Sequence, residues 1–187
     1  MEIEIILDKN LTKRHTVLMN RWRKKEFGPQ WTIRNFKKDY LPGARFFFLK
    51  ENRKIVAFGT LRKVTINYLG KKYNILGICN IISIEKGKGY GKILIAAMIK
   101  YLKKTGKTGL GFCRSKNTQF YKKAGLNTIK DLTKRFALRN ATTNKYKYDE
   151  EGGDGIYIDG KDKLIKKVLS TKGTGTYYLP DIKQPHW

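Results

Sequence analysis

The spacing of apolar residues along the chain predicts an alternation of strands and helices. Acidic and apolar side chains alternate over residues 2–6, which is typical of a half-buried strand. Val17, Leu18 and Trp22 recur at the spacing of one helix face within residues 13–26. Carried further, the pattern predicts strands over 2–6, 44–50, 54–67, 73–84 and 108–113, and helices over 13–26, 32–40, about 92–105 and about 115–124.

The residues after Leu126 follow a less regular pattern. Short apolar runs predict strands over 135–139, 156–158 and 176–179 and a small helix over 162–169. The polar, glycine-rich stretch 142–155 between them is predicted to be a loop. No repeat or linker separates this tail from the rest. We therefore expect one α/β domain over 1–187, with a core over about 1–140 and a C-terminal extension over about 141–187.

Length and composition are typical of a soluble protein with one core. The chain has 187 residues, of which 40% are hydrophobic. No apolar run approaches the roughly 20 residues of a membrane span, and Glu2 and Glu4 stand where a signal peptide would be basic. Cys79 and Cys113 fall inside predicted strands. We expect buried thiols rather than a disulfide, and a reducing cytoplasm.

The chain carries a large positive charge. Lys and Arg number 41 against 15 Asp and Glu, which gives +26 at pH 7. Two interpretations stay open: a solvated, lysine-rich surface, or an anionic partner such as RNA, DNA or an acidic protein face. The dispersal of the lysines and the lack of a basic-aromatic module favour the first. Both favour a polyanionic small ligand over a strongly cationic one.

A glycine-rich turn is the most informative segment. An apolar strand is followed by Gly87, Gly89 and Gly91, and then by a helix that we expect to begin near Lys92. Glycines let a ligand approach the backbone closely, and a helix N-terminus directs free N–H groups and a positive dipole end at it. The segment therefore predicts an anion site, most naturally for a pyrophosphate. Three lysines add positive charge there: Lys86, Lys88 and Lys92.

The spacing of this turn excludes two common nucleotide-binding motifs. A P-loop ending at Gly91-Lys92 needs glycine at position 86, where Lys86 stands. The later Gly106-Lys107-Thr108 needs glycine at the place of Tyr101. A dinucleotide fingerprint fails as well, because Gly91 comes one residue too early.

The spacing that does fit is [Gln/Arg/Lys]-x-x-Gly-x-Gly, here Lys86-Gly87-Lys88-Gly89-Tyr90-Gly91. It resembles motif A of the GNAT superfamily of acetyl-CoA-dependent N-acetyltransferases. Lys86 replaces the usual Gln or Arg and keeps a donor side chain. After one further helix and strand comes a segment that is similar to the family's motif B, Ala-x-x-Phe-Tyr-Glu-Lys-x-Gly-Phe. In this chain it reads Asn117-Thr118-Gln119-Phe120-Tyr121-Lys122-Lys123-Ala124-Gly125-Leu126. The resemblance covers about residues 44–126.

The resemblance implies a GNAT-like fold, in which a mixed, mostly antiparallel sheet splays around acetyl-CoA between flanking helices. It implies that the strand before the turn pairs with the pantetheine arm and that the turn holds the pyrophosphate through backbone N–H groups. The implied cofactor-binding residues are Cys79, Asn80, Ile81, Lys86, Gly87, Lys88, Gly89, Tyr90, Gly91 and Lys92. No metal is expected, because His15 and His186 show no ligand spacing.

The resemblance also assigns chemistry to motif B. Tyr121 matches the tyrosine that acts as general acid at the coenzyme A thiolate. A phenol, with a pKa of about 10, can protonate a thiolate while staying neutral. The general base has no counterpart, since residues 73–78 carry no carboxylate where many members place a glutamate. Glu85, the nearest acid, lies at the turn and is not a good candidate for the base. Three alternatives for removing the amine proton stay open: a water chain, an amine of lowered pKa and an acid from the tail.

The tail holds the one acidic cluster, Asp149-Glu150-Glu151 and Asp154. A solvated loop is the favoured interpretation, and a pocket rim that recruits an amine is the alternative. The tail is weakly similar to the aminoglycoside 2'-N-acetyltransferases, in which an acidic loop follows the core and a tryptophan carboxylate meets the substrate. Trp187 stands at the corresponding place. The similarity makes the cluster and Trp187 candidates for acceptor binding, although the net charge opposes a polycationic acceptor.

These observations favour an N-acetyltransferase that transfers acetyl from acetyl-CoA to a primary amine, on a small molecule or peptide, by direct attack in a ternary complex. Transfer of a longer acyl group stays open. The alternative from another class is a non-catalytic GNAT-like module that binds nucleic acid or another polyanion. Family resemblance is compatible with a monomer or a homodimer.

Overall fold

A mixed sheet with helices on both faces forms the framework of the protein. The computed structural model describes residues 1–28, 33–40, 42–139, 143–149 and 152–179. The strands are β1 Glu2–Leu7, β2 Arg45–Glu51, β3 Lys54–Tyr68, β4 Lys71–Ser83, β5 Gly109–Cys113, β6 Asn127–Ile129, β7 Phe136–Arg139, β8 Tyr146–Lys147, β9 Asp154–Ile158 and β10 Gly175–Tyr177. The helices are α1 Lys13–Phe27, α2 Phe36–Asp39, α3 Tyr90–Thr105, α4 Ser115–Lys123 and α5 Leu164–Ser170.

The strand order combines an antiparallel meander with one parallel junction. β1 to β4 pair in sequence, each antiparallel to the next. β4 then lies parallel to β5, which is followed in space by β9 and β6. On the other side, β10, β7 and β8 extend the sheet from the last residues of β3. The predicted α/β, mostly antiparallel GNAT-like architecture is confirmed, and the tail contributes strands to the same sheet.

Both faces of the central strands are buried, which explains the run of three phenylalanines in β2. Phe47 points to the face covered by α3, where it packs in one cluster with Leu94 and Met98. Phe46 and Phe48 point to the opposite face, which α1 and α2 cover. A strand that is covered on both faces needs no alternation of polar and apolar residues, so the run is a consequence of position.

Several local predictions need correction. α3 begins at Tyr90 rather than near Lys92, because Gly89 takes the N-cap position in a left-handed conformation. The helix expected over 32–40 is reduced to α2, with residue 32 outside the described part of the chain. The stretch 142–155, predicted to be a loop, contains β8 and the start of β9. β6 was not predicted, because three residues are too few to show an alternation.

The two cysteines are free thiols, as predicted. Cys79 is buried and Cys113 is half-buried. Cys79 lies 3.7 Å from the carbonyl oxygen of Thr60, to which it donates. Their placement on different strands of one sheet makes both packing residues.

Gly111 provides a test of the junction between β4 and β5. A Cβ at this position would stand 2.5 Å from the carbonyl oxygen of Ile78, which is backbone and cannot turn aside. We expect Gly111→Ala to lower the free energy of unfolding by about 1–3 kcal/mol, measured by urea denaturation. Gly59→Ala is the matched control, because its Cβ meets the flexible Sδ of Met98 at 2.9 Å. Equal losses from the two variants would contradict this account of the junction.

Candidate active site

The opening between β4 and β5 is the central feature of the site. The two strands pair only at Leu76 with Gly109 and at Gly77 with Leu110, next to a bond from the Leu76 N–H to the Thr108 carbonyl at 2.9 Å. Beyond this point β4 continues along β3 while β5 continues along β9. In the part of the chain that the structure describes, no strand pairs with this edge of β4 beyond Gly77. The edge is therefore available to an extended ligand with amide groups.

A β-bulge lies on this open edge. Thr60 of β3 pairs with Cys79 and Phe58 pairs with Ile82, so that Asn80 and Ile81 together face one residue of β3. Asn80 has a φ of +52°, and its side-chain amide donates to the Tyr40 hydroxyl. A bulge bends its strand and redirects the backbone groups beside it.

The bulge contains the predicted pantetheine triplet. The Cys79 side chain is buried and the next two are half-buried. Of these three residues, Cys79 therefore offers a ligand in the opening its backbone and not its side chain.

The glycine-rich turn leads from β4 to an uncapped helix N-terminus. Gly87 and Gly89 have φ values of +83° and +77°, which other residues adopt only under strain. No atom lies within 4 Å of the place where a Cβ would stand on either of them. No side chain caps α3, and Lys88 and Lys92 are exposed beside the turn. Open space, free N–H groups and positive charge together fit a pyrophosphate.

The third glycine of the turn has a different role. Gly91 lies within α3 without positive φ, and a Cβ there would stand 2.8 Å from the ring of Phe120 on α4. The absence of a Cβ at Gly91 lets α3 and α4 approach each other. The segments that resemble motif A and motif B therefore contact each other directly. The spacing of the motifs in the sequence did not show this contact.

Tyr90 contributes only its backbone to the turn. Its ring is buried against the sheet, and its hydroxyl donates to the Glu51 carboxylate at 2.7 Å. This hydrogen bond, with some burial, raises the pKa of Tyr90 to about 12. The other predicted cofactor residues of the turn, in contrast, have exposed or half-exposed side chains.

Tyr121 lies on α4 beside the end of β5. It packs against the core cluster between α3 and the sheet, together with Cys113. Burial raises the pKa of its phenol well above the ordinary value, and the neighbouring Cys113 and Glu26 raise it further. The phenol therefore keeps its proton at alkaline pH, as a general acid at a thiolate requires.

Glu26 is a site residue that the sequence analysis missed. It lies in the last turn of α1, and both of its carboxylate oxygens accept from Lys86 Nζ, at 2.9 and 2.7 Å. The pair joins α1 to the first residue of the motif A turn. A signal was present in the sequence, since an acid in the last turn of a helix is unfavourable to the helix dipole.

Of the acidic cluster of the tail, the structure describes Asp149 and Asp154, which have separate hydrogen-bond partners. Asp154 is buried, accepts from the Thr118 hydroxyl and, at 3.1 Å, from the Asp131 N–H. Asp149 accepts from the Gly152 N–H at 3.3 Å. Asp154 thus holds the start of α4 in place, a role that its position in a predicted loop did not suggest. Glu150, Glu151 and Trp187 lie outside the described residues.

Among the described residues, no three His, Cys, Asp or Glu side chains come together as ligands of one metal ion. Within the same residues, no helix is long and apolar enough to cross a membrane.

Comparison with known proteins agrees with this geometry. The sequence model described as the acetyltransferase (GNAT) family matches residues 16–126, more than half of the chain. No curated protein matches the chain at a significant level.

Solved structures share the fold at low sequence identity. Escherichia coli ElaA is 16% identical with a TM-score of 0.58 over 84% of this chain and 99% of that chain. An N-acetyltransferase from Staphylococcus aureus Mu50 is 18% identical, with a TM-score of 0.54 over 85% and 98% of the two chains. An acyl-CoA N-acyltransferase from Pseudomonas aeruginosa is 10% identical, with a TM-score of 0.55 over 84% and 97%.

The fold, the opening in the sheet and the family match together define an acyltransferase. The chain belongs to the GNAT acetyltransferase family, whose members use acetyl-CoA as co-substrate.

Gly89→Glu tests the donor site directly. Acetyl-CoA at a hundred times its dissociation constant adds roughly 2.7 kcal/mol of stability to a protein that binds it. We expect wild type to show this rise in thermal stability at moderate salt, and Gly89→Glu to lose it, because the new side chain fills the open space and brings negative charge.

Gly70→Glu is the matched control for this test. Gly70 has a similar φ, +75°, with no atom within 4 Å of a Cβ, but lies in the turn between β3 and β4. It should be strained equally and still be stabilised by acetyl-CoA. Stabilisation of Gly89→Glu to the wild-type extent would refute the assignment of the turn.

Proposed function

We propose that this protein transfers the acetyl group of acetyl-CoA to a primary amine by direct attack within a ternary complex. The observation that carries the proposal is the opening between β4 and β5, which ends at an uncapped helix N-terminus and has a half-buried tyrosine at its side. Each part corresponds to one requirement of the reaction: a place for the donor, an anchor for its phosphates and an acid for its leaving group.

The residues present suit the donor. The free β4 edge after Gly77 offers backbone groups to the pantetheine amides, and the bulge at Asn80 redirects them. The turn from Lys86 to Lys92 offers N–H groups, open space over two glycines and positive charge to the pyrophosphate. All ten residues implied for the cofactor therefore lie on one continuous path, although Cys79 and Tyr90 contribute backbone alone.

The reaction needs one proton donor and one proton acceptor. The neutral amine nitrogen forms a bond to the acetyl carbonyl carbon, and the carbon–sulfur bond breaks. The thiolate takes its proton from the Tyr121 hydroxyl, and the nitrogen gives up a proton to a base or to water. Products are the acetylated amine and coenzyme A, with the Tyr121 proton restored from solvent.

Removal of the Tyr121 hydroxyl tests the acid role. We expect Tyr121→Phe to lower kcat by about 10²–10⁴-fold. The affinity for acetyl-CoA should stay within about twofold, because the ring that packs against the core is kept. Coenzyme A release, assayed with N-α-acetyl-lysine methylamide, spermidine and alanylalanine amide as acceptors, measures the first quantity and calorimetry the second.

The pH dependence adds an independent check on Tyr121. Because burial raises its pKa, the wild-type rate should not fall through loss of this proton at any pH up to about 10. Tyr101→Phe serves as the control for loss of a tyrosine hydroxyl, since Tyr101 lies on α3 and packs edge-on against Phe47. An unchanged kcat in Tyr121→Phe would exclude the residue as the acid.

A single domain acting in a reducing compartment is the setting that we propose. β9 and β10 of the tail are hydrogen-bonded into the same sheet as the core strands, which supports one domain over 1–187. Cys79 and Cys113 are free thiols, which supports a cytoplasmic location.

One observation favours the second candidate function, a module that binds nucleic acid or another polyanion. A groove of about 880 Å³ runs between α1 and the segment 33–37. Its described lining contains five cationic side chains and no acidic one: Lys13, Arg21, Lys24, Arg34 and Lys37. Such a lining attracts phosphates or carboxylates. Exposed Ile33 and Val17 beside it add apolar contact area.

Salt-dependent retention on immobilised RNA separates the two functions. If the groove binds phosphates, the double variant Arg21→Glu/Lys24→Glu should elute at clearly lower salt than wild type, because fewer counterions are released. The control, Lys103→Glu/Lys104→Glu, makes the same charge change at the end of α3. Equal elution of both variants would contradict a dedicated nucleic-acid site in the groove.

A further inference from the structure

The ion pair between Glu26 and Lys86 links two regions that the sequence keeps far apart. Lys86 is the first residue of the turn that fits the pyrophosphate, and Glu26 lies in the last turn of α1. Lys86 Nζ lies 2.9 and 2.7 Å from the two carboxylate oxygens. The positive charge of Lys86 is therefore directed at Glu26.

This pairing is one that a bound donor would replace. The Lys86 side chain is 67% exposed and that of Glu26 is 34% exposed, and exposed ion pairs are weak. A pyrophosphate in the turn presents a higher negative charge than a single carboxylate and lies among backbone N–H groups that also favour an anion. Lys86 would then turn to the phosphates and leave the Glu26 carboxylate without its cation.

The Glu26 carboxylate is within electrostatic reach of the proposed general acid. Its charge acts on the Tyr121 phenol, whose pKa it raises after burial and Cys113. Tyr121 marks the place of the leaving sulfur, so an acceptor amine must approach within the same neighbourhood. An ammonium group is the natural partner of a carboxylate at this position.

The other described acids are committed elsewhere. Each of the following accepts from a backbone N–H or a hydroxyl, or pairs with a lysine: Glu4, Asp8, Asp39, Glu51, Asp131, Asp149, Asp154, Asp159 and Asp162. Glu2 lies at the start of β1, and Glu85 is exposed in the turn itself. Among the described acids, Glu26 alone combines a cation partner at the turn with an effect on Tyr121.

We propose that Glu26 is the carboxylate that binds the acceptor ammonium, and that it exchanges Lys86 for the acceptor when the donor pyrophosphate takes Lys86. The proposal rests on the proposed transferase function. It supplies the acidic acceptor contact that the tail cluster, as far as it is described, does not form. It also couples the two ligands, because each one removes a competitor of the other, and such coupling is reciprocal.

Calorimetry with coenzyme A tests the exchange without any catalysis. Glu26→Gln should bind coenzyme A about two- to fivefold more tightly than wild type, because Lys86 is no longer held. Lys86→Met should bind it more weakly. The double variant should match Lys86→Met, since without Lys86 the loss of Glu26 releases nothing.

Glu85→Gln is the control for this measurement, because it removes the same charge from the turn that receives the pyrophosphate. Its affinity should change by less than about twofold. An equal gain in Glu85→Gln, or no gain in Glu26→Gln, would overturn the exchange.

The acceptor contact is tested with N-α-acetyl-lysine methylamide, a single ammonium on an apolar stem. We expect wild type saturated with coenzyme A to bind this probe about fivefold more tightly than wild type without it. The gain should vanish in Glu26→Gln and be partly kept in Glu26→Asp. Equal affinity with and without coenzyme A, or a gain that survives in Glu26→Gln, refutes the proposal.

Failure of this proposal is distinguishable from failure of the proposed function. A wild type that does not bind coenzyme A at all contradicts the transferase function and the exchange together. A wild type that binds coenzyme A, while Glu26→Gln shows neither the tighter donor binding nor the lost amine coupling, contradicts the exchange alone. Circular dichroism and thermal melting of each variant confirm that it is folded.

Discussion

The separation of β4 from β5 after two bridged pairs is the constraint on which the rest of the site depends. Parallel strands normally continue their ladder to the end of the shorter strand. Here each takes a partner on its outer side, β3 for β4 and β9 for β5, and both are held there by long antiparallel pairing. Among the described residues no strand fills the gap between the two inner edges, which leaves a cleft in the middle of the sheet.

Small residues hold the parts of this cleft together. Gly111 allows β5 to lie against the Ile78 carbonyl where the strands part, and Gly91 allows Phe120 to lie against α3. The helix that carries Tyr121 is thereby fixed relative to the helix that follows the glycine turn. A larger residue at either place would move Tyr121 relative to the donor, so these glycines serve geometry rather than flexibility.

The charge distribution of the protein matches an enzyme with an anionic donor. Most described acids are used locally, for example Asp159, which accepts from the first backbone N–H groups of α5, and Asp154, which anchors Thr118. The cations are left in excess around the turn and along α1. Glu26 is an exception that stands among them, where it pairs with Lys86.

The sequence by itself determined the architecture, and it was enough to propose the glycine turn as the donor site and Tyr121 as the acid. Strand and helix periodicity are local properties, and the turn glycines and Tyr121 occur at spacings within one or two elements, so each was readable from neighbouring residues. Tertiary structure alone decided what depends on distant residues coming together. Glu26 and Lys86 are sixty residues apart, and their pairing follows from the packing of α1 beside the end of β4. Asp154 is buried because β9 lies between β5 and β6, a strand order that no local pattern encodes.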